Sequence, residues 1–327
     1  MKRSAKLILI GSGVTAAMMA LAESARHGVA DYFVSVALDR QIPPHPIMAE
    51  RRLVASCTDT ELLDKVARAG NELASRIHKT VEIQGGDGTR LVGHWMNVTN
   101  PKRIIIAMHG WRSVWHRDFG AIADFFAENG CSVLYTEQRA QGGSGGEYIG
   151  FGLTERYDCL NWIRWVNENT DTPLPIYLCG ISMGAATVLM AAGLSLPDQV
   201  CGIIADCGYT SAVDIWKHVA KRAHISYGMC EKPAGRLVKK RLRVAMDAET
   251  CPQALARSKT PVLFVHGTDD KFVPIEMTYE NYKACSAPKR LFIVPGAEHG
   301  MSYLVDQKGY ETAIRSFWAD FDSKISI

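Results

Sequence analysis

From Thr80 onward the chain alternates short apolar runs with longer stretches whose apolar residues recur every three or four positions. Thr80–Gln84 and Arg90–Val98 read as two strands, split by the hairpin signal Gly85-Gly86-Asp87-Gly88. Arg103–Met108 is a continuous apolar run of the kind covered on both faces of a sheet. Beyond it the pattern predicts helix Asp118–Asn129, strand Ser132–Thr136, helix Thr154–Asn169, strand Ile176–Gly180, helix Met183–Leu194 and strand Gly202–Asp206. Strands Pro261–Val265 and Arg290–Val294 then flank a helix near Glu276–Ala284, and Gly309–Phe321 reads as the closing helix. Such alternation implies a mostly parallel central sheet with helices on both faces. It stops between Tyr209 and Thr260, too long a gap for a structureless loop, so a small helical cap insertion is expected at about 211–258, after the sixth strand.

Upstream, Leu62, Leu63, Val66, Leu73 and Ile77 recur at helical spacing within Thr58–Lys79, with Thr58 or Asp59 as cap and Glu61 in the first turn. Residues 25–78 are therefore expected to form an N-terminal helical extension packed on the main domain, 79–327. Residues 1–24 differ again: Lys2, Arg3 and Lys6 precede the mostly apolar stretch Leu7–Ala22. That pattern suits an anchor or a cleaved signal segment and implies membrane association, with the bulk of the chain outside the cytoplasm. The alternative is a core or amphipathic helix on a cytoplasmic protein. The same stretch imitates a dinucleotide fingerprint in Gly11-Ser12-Gly13, but the β-like residues Tyr32–Val36 follow Asp31 instead of preceding it, and Pro43, Pro44 and Pro46 break the pattern.

Composition narrows the function classes. With 47% hydrophobic and 22% charged residues in 327, the chain can bury one large core. A formal charge of +3 and the lack of a basic run interleaved with aromatics argue against a nucleic-acid partner. The nine cysteines include no Cys-x-x-Cys pair and no His/Cys cluster at zinc spacing, so neither a metal nor a cofactor is expected. Their odd number argues against a complete disulfide framework. The cationic run Arg236–Arg243 within the expected cap reads as a solvated helix face, or as a surface that attracts acidic substrates or anionic lipid.

Candidate chemistry centres on Cys179-Gly180-Ile181-Ser182-Met183-Gly184, where an apolar strand runs directly into an Ala-rich helix. The two glycines permit a sharp turn that leaves the Ser182 hydroxyl clear of the backbone at a helix N-terminus. A serine nucleophile needs a base and a group to orient that base. His266-Gly267-Thr268-Asp269-Asp270 follows one apolar strand and Glu298-His299-Gly300 follows the last, giving the chain order serine, acid, histidine. His109 and His266 each end a strand before a glycine, where a histidine is expected to bond loop backbone.

Together with His109-Gly110-Trp111 and Gln138-Arg139-Ala140, these segments make the chain resemble an α/β-hydrolase of the serine hydrolase superfamily, similar to its esterase and S33 aminopeptidase-like branches. The resemblance covers about Val81 to the C-terminus. It implies Ser182 as nucleophile, His299 as base and Asp270 as orienting acid. Asp270 is preferred to Asp269 because the family's acid stands four residues after the strand-end His and four before a Pro, here His266 and Pro274. An oxyanion hole is expected from the backbone N–H groups of Met183 and Trp111. One departure is Gln141, where the family commonly has His. The expected activity is hydrolysis of a carboxylic ester through an acyl-enzyme. The alternatives are peptidase or amidase chemistry on the same triad, or a catalytically silent binding protein on the same fold.

Overall fold

The computed structural model describes residues 23–322 except 25, 42–56, 77 and 225. The apolar stretch Leu7–Ala22 lies outside the described residues. Among those described, no helix is long and apolar enough to cross a membrane.

Eight strands form one sheet: β1 (Lys79–Gln84), β2 (Arg90–Met96), β3 (Arg103–Met108), β4 (Cys131–Glu137), β5 (Ile176–Ile181), β6 (Val200–Asp206), β7 (Val262–Gly267) and β8 (Lys289–Val294). Their spatial order is β1-β2-β4-β3-β5-β6-β7-β8. The β1/β2 and β2/β4 pairs are antiparallel, and the remaining neighbours are parallel. The mostly parallel sheet with helices on both faces expected from the alternation is thus observed. Along β3, Ile104, Ile106 and Met108 join one apolar layer while Ile105 and Ala107 join the other. A strand whose successive side chains enter two cores must be apolar throughout, which is why its run is unbroken.

Before the sheet lie α1 (26–38) and α2 (Thr60–Ser75). The Asp59 carboxylate caps α2, accepting the N–H groups of Glu61 and Leu62. Tyr32–Val36 correct the expectation of β-like structure, because they lie within α1. Ala30, Val34, Ala37 and Leu38 share a buried face at helical spacing, and burial of that face outweighs the strand preference of β-branched and aromatic residues.

The helix expected over Asp118–Asn129 is two, α3 (Trp115–Phe119) and α4 (Ala123–Glu128). The break falls at Gly120, which packs so tightly on α2 that a Cβ there would stand 2.5 Å from the Ala69 carbonyl carbon. After β4 come α5 (Glu155–Glu168) and, beyond β5, α6 (Met183–Ala191). The excursion after β6 holds α7 (Ala212–Arg222), α8 (Tyr227–Leu242) and α9 (Cys251–Arg257). α9 packs on α6 and on α10 (Ile275–Ala284), so it belongs to the layer flanking the sheet, and the excursion proper is α7 and α8. The cationic run of α8 is not wholly solvated, since Arg241 reaches Asp31 and Ser35 of α1 at 3.1 and 2.9 Å. α11 (Ser302–Val305) and α12 (Gln307–Phe321) complete the described chain.

Candidate active site

Ser182 stands between β5 and α6 with φ 55° and ψ −115°, a conformation costly for a residue with a side chain. Its neighbours leave no alternative. A Cβ on Gly184 would lie 1.8 Å from the Met108 carbonyl oxygen, and one on Gly180 would lie 2.3 Å from the Gly184 carbonyl carbon. The Ser182 N–H donates to the Asp206 carbonyl at 2.9 Å, fixing the turn against β6.

The Ser182 hydroxyl lies 2.9 Å from His299 Nε2. His299 Nδ1 lies 2.6 Å from Asp270 Oδ2. With the imidazole neutral, the hydroxyl donates to Nε2 while the Nδ1 proton goes to the carboxylate. Asp270 Oδ1 accepts the Phe272 and Val273 N–H groups, each at 2.8 Å. These three residues are 6–7% exposed, so solvent weakens their interactions little. The Asp269 carboxylate is exposed and accepts the Thr268 hydroxyl.

Electrostatics follow from these contacts. Burial alone would raise the Asp270 carboxyl, but the imidazoles of His299 and His266 hold it well below the usual carboxylate range. Burial disfavours the His299 cation, and the adjoining Asp270 carboxylate more than offsets this, so its affinity for a proton is raised.

His266 is more than a loop histidine. Its Nε2 lies 3.1 Å from Asp270 Oδ2 and 2.9 Å from the Val273 carbonyl, while Nδ1 lies 2.6 Å from the Thr278 hydroxyl. Two acceptors at Nε2 place the proton there, so this buried ring braces the carboxylate that His299 touches. The spacing of four between His266 and Asp270 was the available signal. His109 does bond loop backbone: Nε2 accepts the Gln138 N–H at 3.1 Å, and Nδ1 lies 2.8 Å from the Gly110 carbonyl.

The loop after β3 passes directly over Ser182. A Cβ on Gly110 would stand 3.5 Å from the Ser182 Cβ. Asp118 pins this loop by accepting the Gly110 N–H at 2.7 Å and the Ser113 hydroxyl. Gln141 pins it again, its Oε1 accepting the Arg112 N–H at 2.6 Å. The Trp111 indole N–H donates to the Ala37 carbonyl at 2.9 Å. Met183 is the first residue of α6, where a backbone N–H has no acceptor earlier in the helix.

A cavity of about 390 Å³ opens over Ser182 and His299. Its lining is largely apolar and includes Val36, Val66, Ile122, Phe272 and Leu304. Among the described residues the carboxylates that line it, Asp118 and Asp206, are engaged within the protein. Asp206 accepts the Ser302 and Tyr310 hydroxyls at 3.1 and 3.2 Å, and burial raises its affinity for a proton. Cys207, Asp270 and His299 bring potential ligand atoms within 4.8 Å of one another, all buried. Burial pushes the Cys207 thiol up, away from the thiolate a metal would need.

Residues 99–225 match the sequence family described as serine aminopeptidase, S33. The chain is 30% identical over 196 residues to YqkD of Bacillus subtilis (strain 168), covering 59% of this chain and 63% of that protein. It is 25% identical over 227 residues to YfhR of Escherichia coli (strain K12), covering 68% of this chain and 73% of that protein. The aligned region thus falls short of two thirds of YqkD. Among solved structures, the Pyrococcus furiosus esterase Pf2001 superposes with a TM-score of 0.61 at 21% identity, covering 77% of this chain and 94% of its own. Est1E of Butyrivibrio proteoclasticus, with ferulic acid bound, gives 0.58 at 19% identity, covering 74% and 98%. At these identities the structural likeness is one of fold.

Proposed function

We propose that this chain, a member of the α/β-hydrolase superfamily, is a serine hydrolase that cleaves a carboxylic ester through an acyl-enzyme. The observation that carries the reading is the unbroken hydrogen-bonded path from the Ser182 hydroxyl through His299 to Asp270, at a strained turn facing an apolar cavity. His299 takes the hydroxyl proton as Ser182 Oγ attacks the acyl carbonyl, and the carboxylate of Asp270 stabilises the resulting imidazolium. The N–H groups of Met183 and Trp111 receive the developing oxyanion. His299 then returns the proton to the leaving alcohol. Water, deprotonated by the same imidazole, releases the acid and frees Ser182.

An ester is favoured over an amino-terminal peptide by the cavity. Recognition of a free amine calls for an available carboxylate, whereas Asp118 and Asp206 already accept protein donors. The second reading, an amidase or aminopeptidase on the same triad, is favoured by the description of the matching family. A panel of nitrophenyl esters run beside aminoacyl nitroanilides separates the two. Fluorophosphonate labelling of the wild type, lost in Ser182→Ala, is the expected result. An unlabelled, folded wild type would leave a silent binding protein.

The apolar stretch Leu7–Ala22 supports a further part of the reading, attachment to a membrane with the hydrolase domain outside the cytoplasm. The full chain should then sediment with membranes, and recovery of the intact chain in the soluble fraction defeats that attachment.

A further inference from the structure

The end of α1 and the residues just before α2 are each tied to a loop beside Ser182. The closing carbonyls of a helix have no partner within it. At the end of α1 and just beyond they are taken by one guanidinium: Arg112 donates to the carbonyls of Val36 at 2.7 Å, Asp39 at 2.6 Å and Arg40 at 3.4 Å. The neighbouring Trp111 indole takes the Ala37 carbonyl. α1 therefore holds the side chains of the two residues that follow Gly110, the loop residue that stands over Ser182. At the start of α2 the tie runs to the other loop. Glu298, the residue before His299, accepts the Thr58 N–H at 2.5 Å and the Thr58 hydroxyl at 2.6 Å. Val36 of α1 and Val66 of α2 line the same cavity as Ser182 and His299.

We propose that α1 and α2 form the outer wall of the substrate pocket: Val66 sets the length of acyl chain accepted, and the Glu298–Thr58 clasp holds that wall in register with His299. The proposal rests on the hydrolase reading and adds to it the determinant of substrate length. Val66 suits the role because it is half-buried and faces the cavity from outside the sheet, where a change of side-chain volume alters the space and leaves the core alone. Glu298 acts through His299 as a positioning residue, since its carboxylate is spent on Thr58 and its place in the chain is next to the base.

The test uses the full-length chain and nitrophenyl esters graded from acetyl to dodecanoyl, with the corresponding acyl amides in parallel. Val66→Trp should lower kcat/KM for the longest well-cleaved substrate by roughly tenfold or more relative to the acetyl substrate, the scale of discrimination one or a few methylenes give in a fitted pocket. Val66→Ala, which adds no bulk and guards against misfolding of the larger variant, should move the optimum towards longer chains. Glu298→Ala should lower kcat by roughly tenfold at every chain length with little change in KM, and Glu298→Gln should restore most of it, a pattern that simple loss of stability does not give. An active wild type whose length profile is the same in both Val66 variants overturns this proposal alone. A wild type that cleaves neither series and takes no fluorophosphonate overturns it together with the hydrolase reading.

Discussion

Asp270, on the loop after β7, and Asp158, on α5, are both buried carboxylates held by nitrogen donors, yet the donors differ in kind. Asp270 meets two imidazoles, His299 at 2.6 Å and His266 at 3.1 Å. Asp158 meets one guanidinium, Arg139, through Nε at 2.7 Å and Nη2 at 2.6 Å, and Arg139 continues to Asp87 at 2.8 Å. An imidazole exchanges its proton near neutrality, whereas a guanidinium keeps its charge at any pH a protein survives. The first cluster can therefore pass a proton from the Ser182 hydroxyl, and the second can only hold chain segments together, here α5, the loop after β4 and the β1/β2 turn. Burial pushes the Asp158 carboxyl up to about 6 even against Arg139, while the surrounding carboxylates strengthen the guanidinium's hold on its proton despite its own burial. On the proposed mechanism, what separates the carboxylate that takes part in proton transfer from the one that holds chain segments is the chemistry of its partners, since burial is common to both.

The largest expected effect breaks the comparison on the catalytic side. Asp270→Asn keeps the shape of the side chain and removes the charge that orients and stabilises His299, so kcat should fall by roughly 10⁴-fold. The thermal midpoint should move far less than in the Asp158 variants below. A drop in melting temperature that accounts for the lost activity would make Asp270 structural as well.

On the structural side, Arg139→Met or Asp158→Leu alone leaves a buried charge without its partner, at a cost of roughly 3–5 kcal/mol. For a chain of this size the melting temperature should fall on the order of 10 °C, with kcat unchanged well below the transition. The double variant Arg139→Met/Asp158→Leu should recover much of the loss, because neither member of the pair is left buried without the other. Failure of the double variant to recover would mean that the pair contributes net stability.

His266 tests the boundary between the clusters. It touches no reacting atom, but it donates to the carboxylate that does the orienting. His266→Leu, which removes the ring donor, should lower kcat by roughly 10–100-fold, the range expected for one lost hydrogen bond to a charged group. Thermal melts check that the fold survives. An unchanged kcat would show that the two backbone N–H groups on Asp270 Oδ1 suffice.

How much of this could be read in the sequence depended on the range of the interaction. The strands buried on both faces were legible because their central residues are apolar whichever face they enter, and Arg103–Met108 carries the expected bounds. The turn at Ser182 was legible from the two glycines that its close packing requires. α1 was not, because Tyr32–Val36 favour strand locally, and only the packing of Phe33 on Trp216 and Tyr227, with Arg112 on the terminal carbonyls, shows why they are helical. The bond from Glu298 to Thr58 spans 240 positions and has no sequence period at all. The break at Gly120 likewise answers to α2, more than forty positions upstream in the chain.

The smallest expected effect is a displacement along the pH axis, and it sharpens the comparison most. His299 must be neutral to accept the hydroxyl proton, and its raised proton affinity means that neutrality arrives above the ordinary histidine value of about 6.5. The kcat/KM of the wild type should therefore rise with pH to a half-maximum above that value, because this ratio reports the free enzyme. Stability runs the other way: a group whose folded value is raised contributes fully below its unfolded value, and that contribution is lost as pH rises through the folded one. Activity gained and stability lost should thus share one window. In Asp270→Asn the residual activity should show its rising limb at lower pH, since the carboxylate that favours the cation is gone while burial remains. Asp158→Asn should leave the limb where it is. A wild-type limb at or below about 6.5 would mean that burial outweighs Asp270 at His299, and the contrast between the two carboxylates would then lose its electrostatic basis.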